Sequence, residues 1–83
     1  MSQNITYVGL DVHKKTIQVA MLVPGLDKPI EWESSNTEKA VAQMAKKLRD
    51  RSGESLRVCY EAGPCGYTLQ RQLRSLDIDC IVV

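Results

Sequence analysis

Residues 7–15 read YVGLDVHKK, and residues 58–67 read VCYEAGPCGY. Each stretch is an apolar run that stops on an acid, Asp11 in the first and Glu61 in the second. The run Ile5–Leu10 has almost no polar interruption, which predicts a strand buried on both faces and therefore central in a sheet. After the polar turn DVHKK (residues 11–15), TIQVAMLV (16–23) sets Ile17, Val19, Met21 and Val23 two apart. That period predicts a second strand, and the short turn makes it antiparallel to the first. PGLDK (24–28) is turn chemistry, and PIEWE (29–33) alternates Ile30 and Trp32 with acids, as a half-exposed edge strand does.

The pattern then changes period. Val41, Met44, Ala45 and Leu48 fall at i, i+3, i+4 and i+7, the stripe of an amphipathic helix. Ser35 with Glu38 fits a capping box before it, and Gly53 stands just past its end. LRVCY (56–60) reads as a strand, AGP (62–64) as a break, and Leu69, Leu73 and Leu76 as one face of a second helix. IDCIVV (78–83) reads as a last strand. Three meandering strands followed by two helix–strand units predict a mixed five-stranded α/β sheet in the order 3-2-1-4-5, with two helices, strand 2 antiparallel and right-handed crossovers. There is no internal repeat.

Composition narrows the class. The chain has 83 residues, 43% hydrophobic content and a formal charge of +1. One thin-cored domain fits that size, and no global basic field points to nucleic acid. The start, MSQNIT, has no basic segment leading into an apolar one, so no secretory signal is visible. No apolar run approaches the ~20 residues of a membrane span. Cys59, Cys65 and Cys80 are odd in number and lack C-x-x-C spacing, as reduced thiols of a cytoplasmic protein do. Cys59 and Cys65 with His13 match no common zinc pattern.

If strands one and four are parallel neighbours, Asp11 and Glu61 share the carboxyl edge of the sheet, where open α/β sheets gather their ligands. Two carboxylates there repel and call for a counter-charge. A hard divalent cation, Mg²⁺ or Mn²⁺, takes such oxygen ligands and can activate a phosphodiester for in-line attack. Gly63 and Gly66 around Pro64 let backbone approach a ligand closely ahead of a helix N-terminus that favours anions. Lys14 and Lys15 are candidate phosphate contacts, although a basic turn also serves as a solvated tip. An acid after a strand also serves as a plain turn residue, more readily for Asp11 than for Glu61. His13 reads as a turn residue before a base, Trp32 as an edge-strand core residue before a stacking platform, and Arg71 and Arg74 as a solvated helix face.

YVGLDVHKKTIQVAML, CYEAGPCGYTLQRQL and DCIVV together resemble the first domain of the DEDD transposases of bacterial insertion sequences, of the insertion-sequence-110 type, related to the Piv-type invertases. That domain is similar to the RuvC Holliday-junction resolvase, and so to the ribonuclease H-like fold. The resemblance spans essentially the whole chain. It places the family's first acid on Asp11 and its glutamate on Glu61. It implies Mg²⁺-dependent DNA strand cleavage and transfer, DNA as partner, multimers on DNA and a structured guide RNA. The family's last two aspartates, and a second domain with a serine nucleophile, would lie after Val83.

Two other classes compete. An actin-like sugar kinase or ATPase half also begins with three strands and an early Asp, but wraps phosphate with a glycine-rich loop that DVHKK lacks. A non-catalytic multimerisation module is the third. The strand-like ending DCIVV predicts that residues 1–83 are the N-terminal part of a longer catalytic domain. Alone, such a piece is expected to be inert, to bind Mg²⁺ weakly and to self-associate through the last strand or an uncovered sheet face.

Overall fold

The computed structural model describes residues 5–52, 55–61, 63 and 67–83. The elements run β1 (Ile5–Val12), β2 (Thr16–Leu22), β3 (Ile30–Ser35), α1 (Glu38–Ser52), β4 (Ser55–Tyr60), α2 (Thr68–Ser75) and β5 (Asp79–Val82). They build one five-stranded sheet in the order β3-β2-β1-β4-β5. β1 pairs antiparallel with β2 and parallel with β4, β2 pairs antiparallel with β3, and β4 pairs parallel with β5. This is the mixed α/β sheet that the periodicities predict, and it is consistent with a ribonuclease H-like assignment. No helix among the described residues is long and apolar enough to cross a membrane.

The core lies on one side of the sheet. Val8 and Leu10 of β1, Ile17, Val19 and Met21 of β2, Val58 and Tyr60 of β4, and Cys80 of β5 are buried together. Val41, Met44, Ala45 and Leu48 of α1 and Leu69 and Leu73 of α2 pack into the same cluster. The registers agree with this: Val8 pairs with Met21 and Val58, and Val58 with Cys80, so all four point to the helices.

Burial of β1 on both faces is therefore not observed. Thr6, Val8 and Leu10 are buried, while Tyr7, Gly9 and Asp11 between them are exposed. Its central position among five strands holds, but both helices cover the same face. Glycine and a tyrosine with a polar tip let the sequence read as apolar on the side that water reaches.

The capping expectation also changes. Ser35 still belongs to the ladder, paired with Thr16. The cap is Thr37, whose Oγ1 accepts the Ala40 N–H at 3.1 Å, while its carbonyl accepts the Val41 N–H at 2.9 Å. Strand pairing holds Ser35 extended and moves the helix start two residues on. Gly53 lies outside the described residues. Buried Thr6 donates to the Ser52 carbonyl at 3.1 Å and satisfies one of the free acceptors at the end of α1.

α2 closes with both bonds of a Schellman motif. The Ile78 N–H reaches the Leu73 carbonyl and the Asp77 N–H reaches the Arg74 carbonyl, each at 3.0 Å. Asp77 takes the left-handed conformation this requires, with φ 61°. The Arg49 guanidinium of α1 donates to the Leu76 carbonyl and lies 4.0 Å from the Asp77 carboxylate, which ties the two helices at their ends. Trp32 packs partly buried against the core, with Lys47 Nζ 4.2 Å from its ring centroid, so it is occupied as a core residue of the edge strand.

Candidate functional site

Leu10 and Tyr60 are Cα partners in the parallel ladder of β1 and β4, and both are buried under the helices. The next residue on each strand is an acid. Alternation along β1 turns Asp11 to the face away from the helices, and Glu61 leaves β4 at the same edge; both are exposed. The backbone from which Glu61 departs is well anchored. The Tyr60 hydroxyl accepts the Gln70 N–H at 3.1 Å, and its carbonyl accepts the Val83 N–H at 2.9 Å.

Asp11 and Glu61 line one groove of about 730 Å³ on the open face. Its floor is built of small residues. Ala20, Gly9 and Cys59 stand side by side across β2, β1 and β4, with Ile81 of β5 beyond. A Cβ added at Gly9 would meet no atom within 4 Å, so the chain itself leaves this space open. Glu31 adds a third carboxylate to the lining, and no lysine or arginine is found among the described lining residues. Three acids around a shallow groove create a negative potential that draws cations. Beside Asp11, Gln18 donates to Glu33 at 2.6 Å.

His13 Nε2 lies 3.1 Å from Asp11 Oδ2. His13 is thus a turn residue that turns back on the acid. Lys14 and Lys15 are exposed in the same β1–β2 turn and do not line the groove. Gly63 does line it, and a Cβ there would also meet open space. Its glycine answers no steric demand from the described chain. Gly66, Pro64 and Cys65 lie outside the described residues. Among the described residues, no three of His, Cys, Asp and Glu converge closely enough to share one metal ion. A zinc site using Cys59 and His13 has no third donor within that set.

Cys59 and Cys80 are free thiols on opposite faces of the sheet. Burial pushes the Cys80 thiol up to about 11, with nearby Arg74 acting in the other direction. The small floor of the groove escapes a reading based on apolar runs, since Gly9, Ala20 and Cys59 carry little signal singly. Alternation from Val8 and Leu10 would have found Gly9 and Asp11 on one face.

No family model matches the chain. Over 78 residues it is 41% identical to the transposase for insertion sequence element IS1533 of Leptospira borgpetersenii, an alignment covering 93% of this chain and 22% of that protein. It is 37% identical over 78 residues to a protein of Sinorhizobium fredii named as a transposase, covering 93% of this chain and 20% of that one. The chain is thus similar to insertion-sequence transposases and spans about a fifth of the length of these curated relatives.

Proposed function

We propose that this chain is the N-terminal part of the catalytic domain of a DNA transposase of the DEDD type, and that Asp11 and Glu61 anchor its divalent cation. The observation that carries the reading is the Leu10–Tyr60 pairing, which brings the two following acids to one groove at the carboxyl edge of the sheet. Similarity to transposases supports the choice of DNA as substrate.

The donor set suits a hard cation. The groove offers exposed carboxylates and no competing positive side chain among its described lining residues. Mg²⁺ needs one or two protein carboxylates and completes its octahedron with water and phosphate, and Mn²⁺ accepts the same donors. Two acids form an anchor and not a closed cage, in keeping with the lack of a three-donor group among the described residues. When bound, the cation would polarise a phosphodiester and stabilise the charge of in-line displacement.

This chain's own contribution is placement. The buried Leu10 and Tyr60 fix the heights of Asp11 and Glu61 on neighbouring strands. The small floor formed by Gly9, Ala20 and Cys59 leaves room beside them. Exposed Lys14 and Lys15, in the turn after β1 and outside the groove lining, would meet a DNA backbone running past the edge. Multimers on DNA and a guide RNA follow from the family resemblance and belong to the whole protein.

The test is strand cleavage by full-length protein carrying Asp11→Asn or Glu61→Gln. Each amide keeps the shape of the carboxylate and loses its charge. Cleavage should fall to background in both while DNA binding survives, and recombination near the unmodified level in either would remove the residue from the cation site.

A further inference from the structure

We propose that His13 is a positioning residue for Asp11, and that Asn36 holds His13 in place. This rests on the reading of Asp11 as a cation ligand.

The clamp is built from four contacts. His13 Nε2 meets Asp11 Oδ2 at 3.1 Å. The His13 N–H donates to the Thr16 carbonyl at 2.8 Å, which closes the turn. The His13 carbonyl accepts from Asn36 Nδ2 at 2.7 Å. Asn36 in turn donates its own N–H to the Lys15 carbonyl at 2.9 Å. Asn36 sits between the end of β3 and the start of α1, so it reaches the turn from a separate part of the chain. The β1–β2 turn is thereby pinned to the β3–α1 junction, and the imidazole is presented to one oxygen of the acid.

Stability does not explain this arrangement. The side chains of Asp11 and His13 are 71% and 58% exposed. A pair so open to water adds little to folding. Its consequence is orientation. An aspartate on an open strand end samples several rotamers, and each must be restricted before a metal can bind. The imidazole held against Oδ2 restricts them in advance. Ligating carboxylates depend on such outer partners for affinity. The bond needs only a proton on Nε2, which one neutral tautomer of the ring also carries.

The experiment titrates Mn²⁺ into full-length protein, read by its electron paramagnetic resonance signal, with Mg²⁺ as competitor. His13→Ala should weaken Mn²⁺ binding about tenfold, the lower end of outer-partner effects. His13→Gln, which keeps an amide donor, should recover most of it. Asn36→Ala should lose part of it, because the side-chain bond to the His13 carbonyl is lost while the imidazole and the backbone bond to Lys15 remain. The melting temperature of all three should move by no more than a few degrees. Unchanged or tighter Mn²⁺ binding in His13→Ala would overturn the proposal, as would failure of His13→Gln to recover beside a stable fold. Asp11→Asn separates this proposal from the one beneath it. If that variant binds Mn²⁺ as well as the unmodified protein, the cation site itself is wrong. If it loses Mn²⁺ while His13→Ala does not, only the positioning role is wrong.

Discussion

Leu10 and Tyr60 are partners across the parallel ladder of β1 and β4, and each hands the next position on its strand to an acid. Their side chains point into the core; alternation along β1 turns Asp11 to the groove, and Glu61 joins its lining just past the end of β4. The apolar pair acts as the ruler for the polar one.

Removing one charge from the groove should separate stability from function. Glu61 shares the lining with Asp11 and Glu31, and like charges repel without a cation between them. Glu61→Gln should leave the melting temperature of metal-free protein equal or higher while abolishing strand cleavage. A marked drop in melting temperature would show that Glu61 holds the fold together.

Gly9 lies in the middle of the central strand, where glycine costs about 0.5–1 kcal/mol relative to alanine. An added Cβ meets nothing within 4 Å, so Gly9→Ala should raise stability by about that amount. Gly9→Leu should fold as well but fill the floor of the groove and reduce activity. Chemical denaturation and cleavage measured on the same pair decide it, and instability of Gly9→Ala would contradict the open floor.

Asp77 carries φ 61° at the end of α2, a conformation that aspartate accepts better than alanine does. Asp77→Ala should cost about 1 kcal/mol, through both the strained backbone and the lost neighbour of Arg49. Asp77→Gly should be neutral or stabilising. Equal loss in both variants, measured by urea unfolding, would point to the carboxylate and away from the backbone.

The thiols should differ sharply in reactivity. Exposed Cys59 should react with an alkylating reagent near neutral pH, while buried Cys80 should react only on unfolding. The raised Cys80 value also sets a pH dependence. The folded thiol titrates near 11 and the unfolded one near 9.0, so its contribution is fully present below pH 9 and is lost as pH rises through 11. Unfolding midpoints that fall less across that window in Cys80→Ala than in the parent would support this, and parallel curves would not.

The open face carries Tyr7, Leu22 and Ile81, each about half exposed, and β5 is an edge strand. Apolar area of this kind beside a free edge favours association. The 83-residue chain should therefore self-associate at high concentration, and Ile81→Lys should reduce it. Light scattering after size exclusion measures both, and a monomer at all concentrations would show the face to be well solvated.

Much of the fold was legible because side-chain period is a local property. Alternation at Ile17, Val19 and Met21 and the four-residue stripe from Val41 to Leu48 name a strand and a helix without reference to anything distant. The acids after Leu10 and Tyr60 stood out in the same way, as charges ending apolar runs. Connection rules then ordered the strands, since short turns make antiparallel neighbours and helical crossovers make parallel ones.

Tertiary structure decided what depends on which surfaces meet. Whether β1 is covered on one face or two turns on where α1 and α2 pack, and Tyr7 and Gly9 look the same in sequence either way. The cap moved from Ser35 to Thr37 because pairing with Thr16 holds Ser35 in the sheet. Asn36 gives no sign in the sequence that it grips His13, 23 positions away. A hydrogen bond across such a separation depends on the closed ladder between β2 and β3, and no local pattern encodes it.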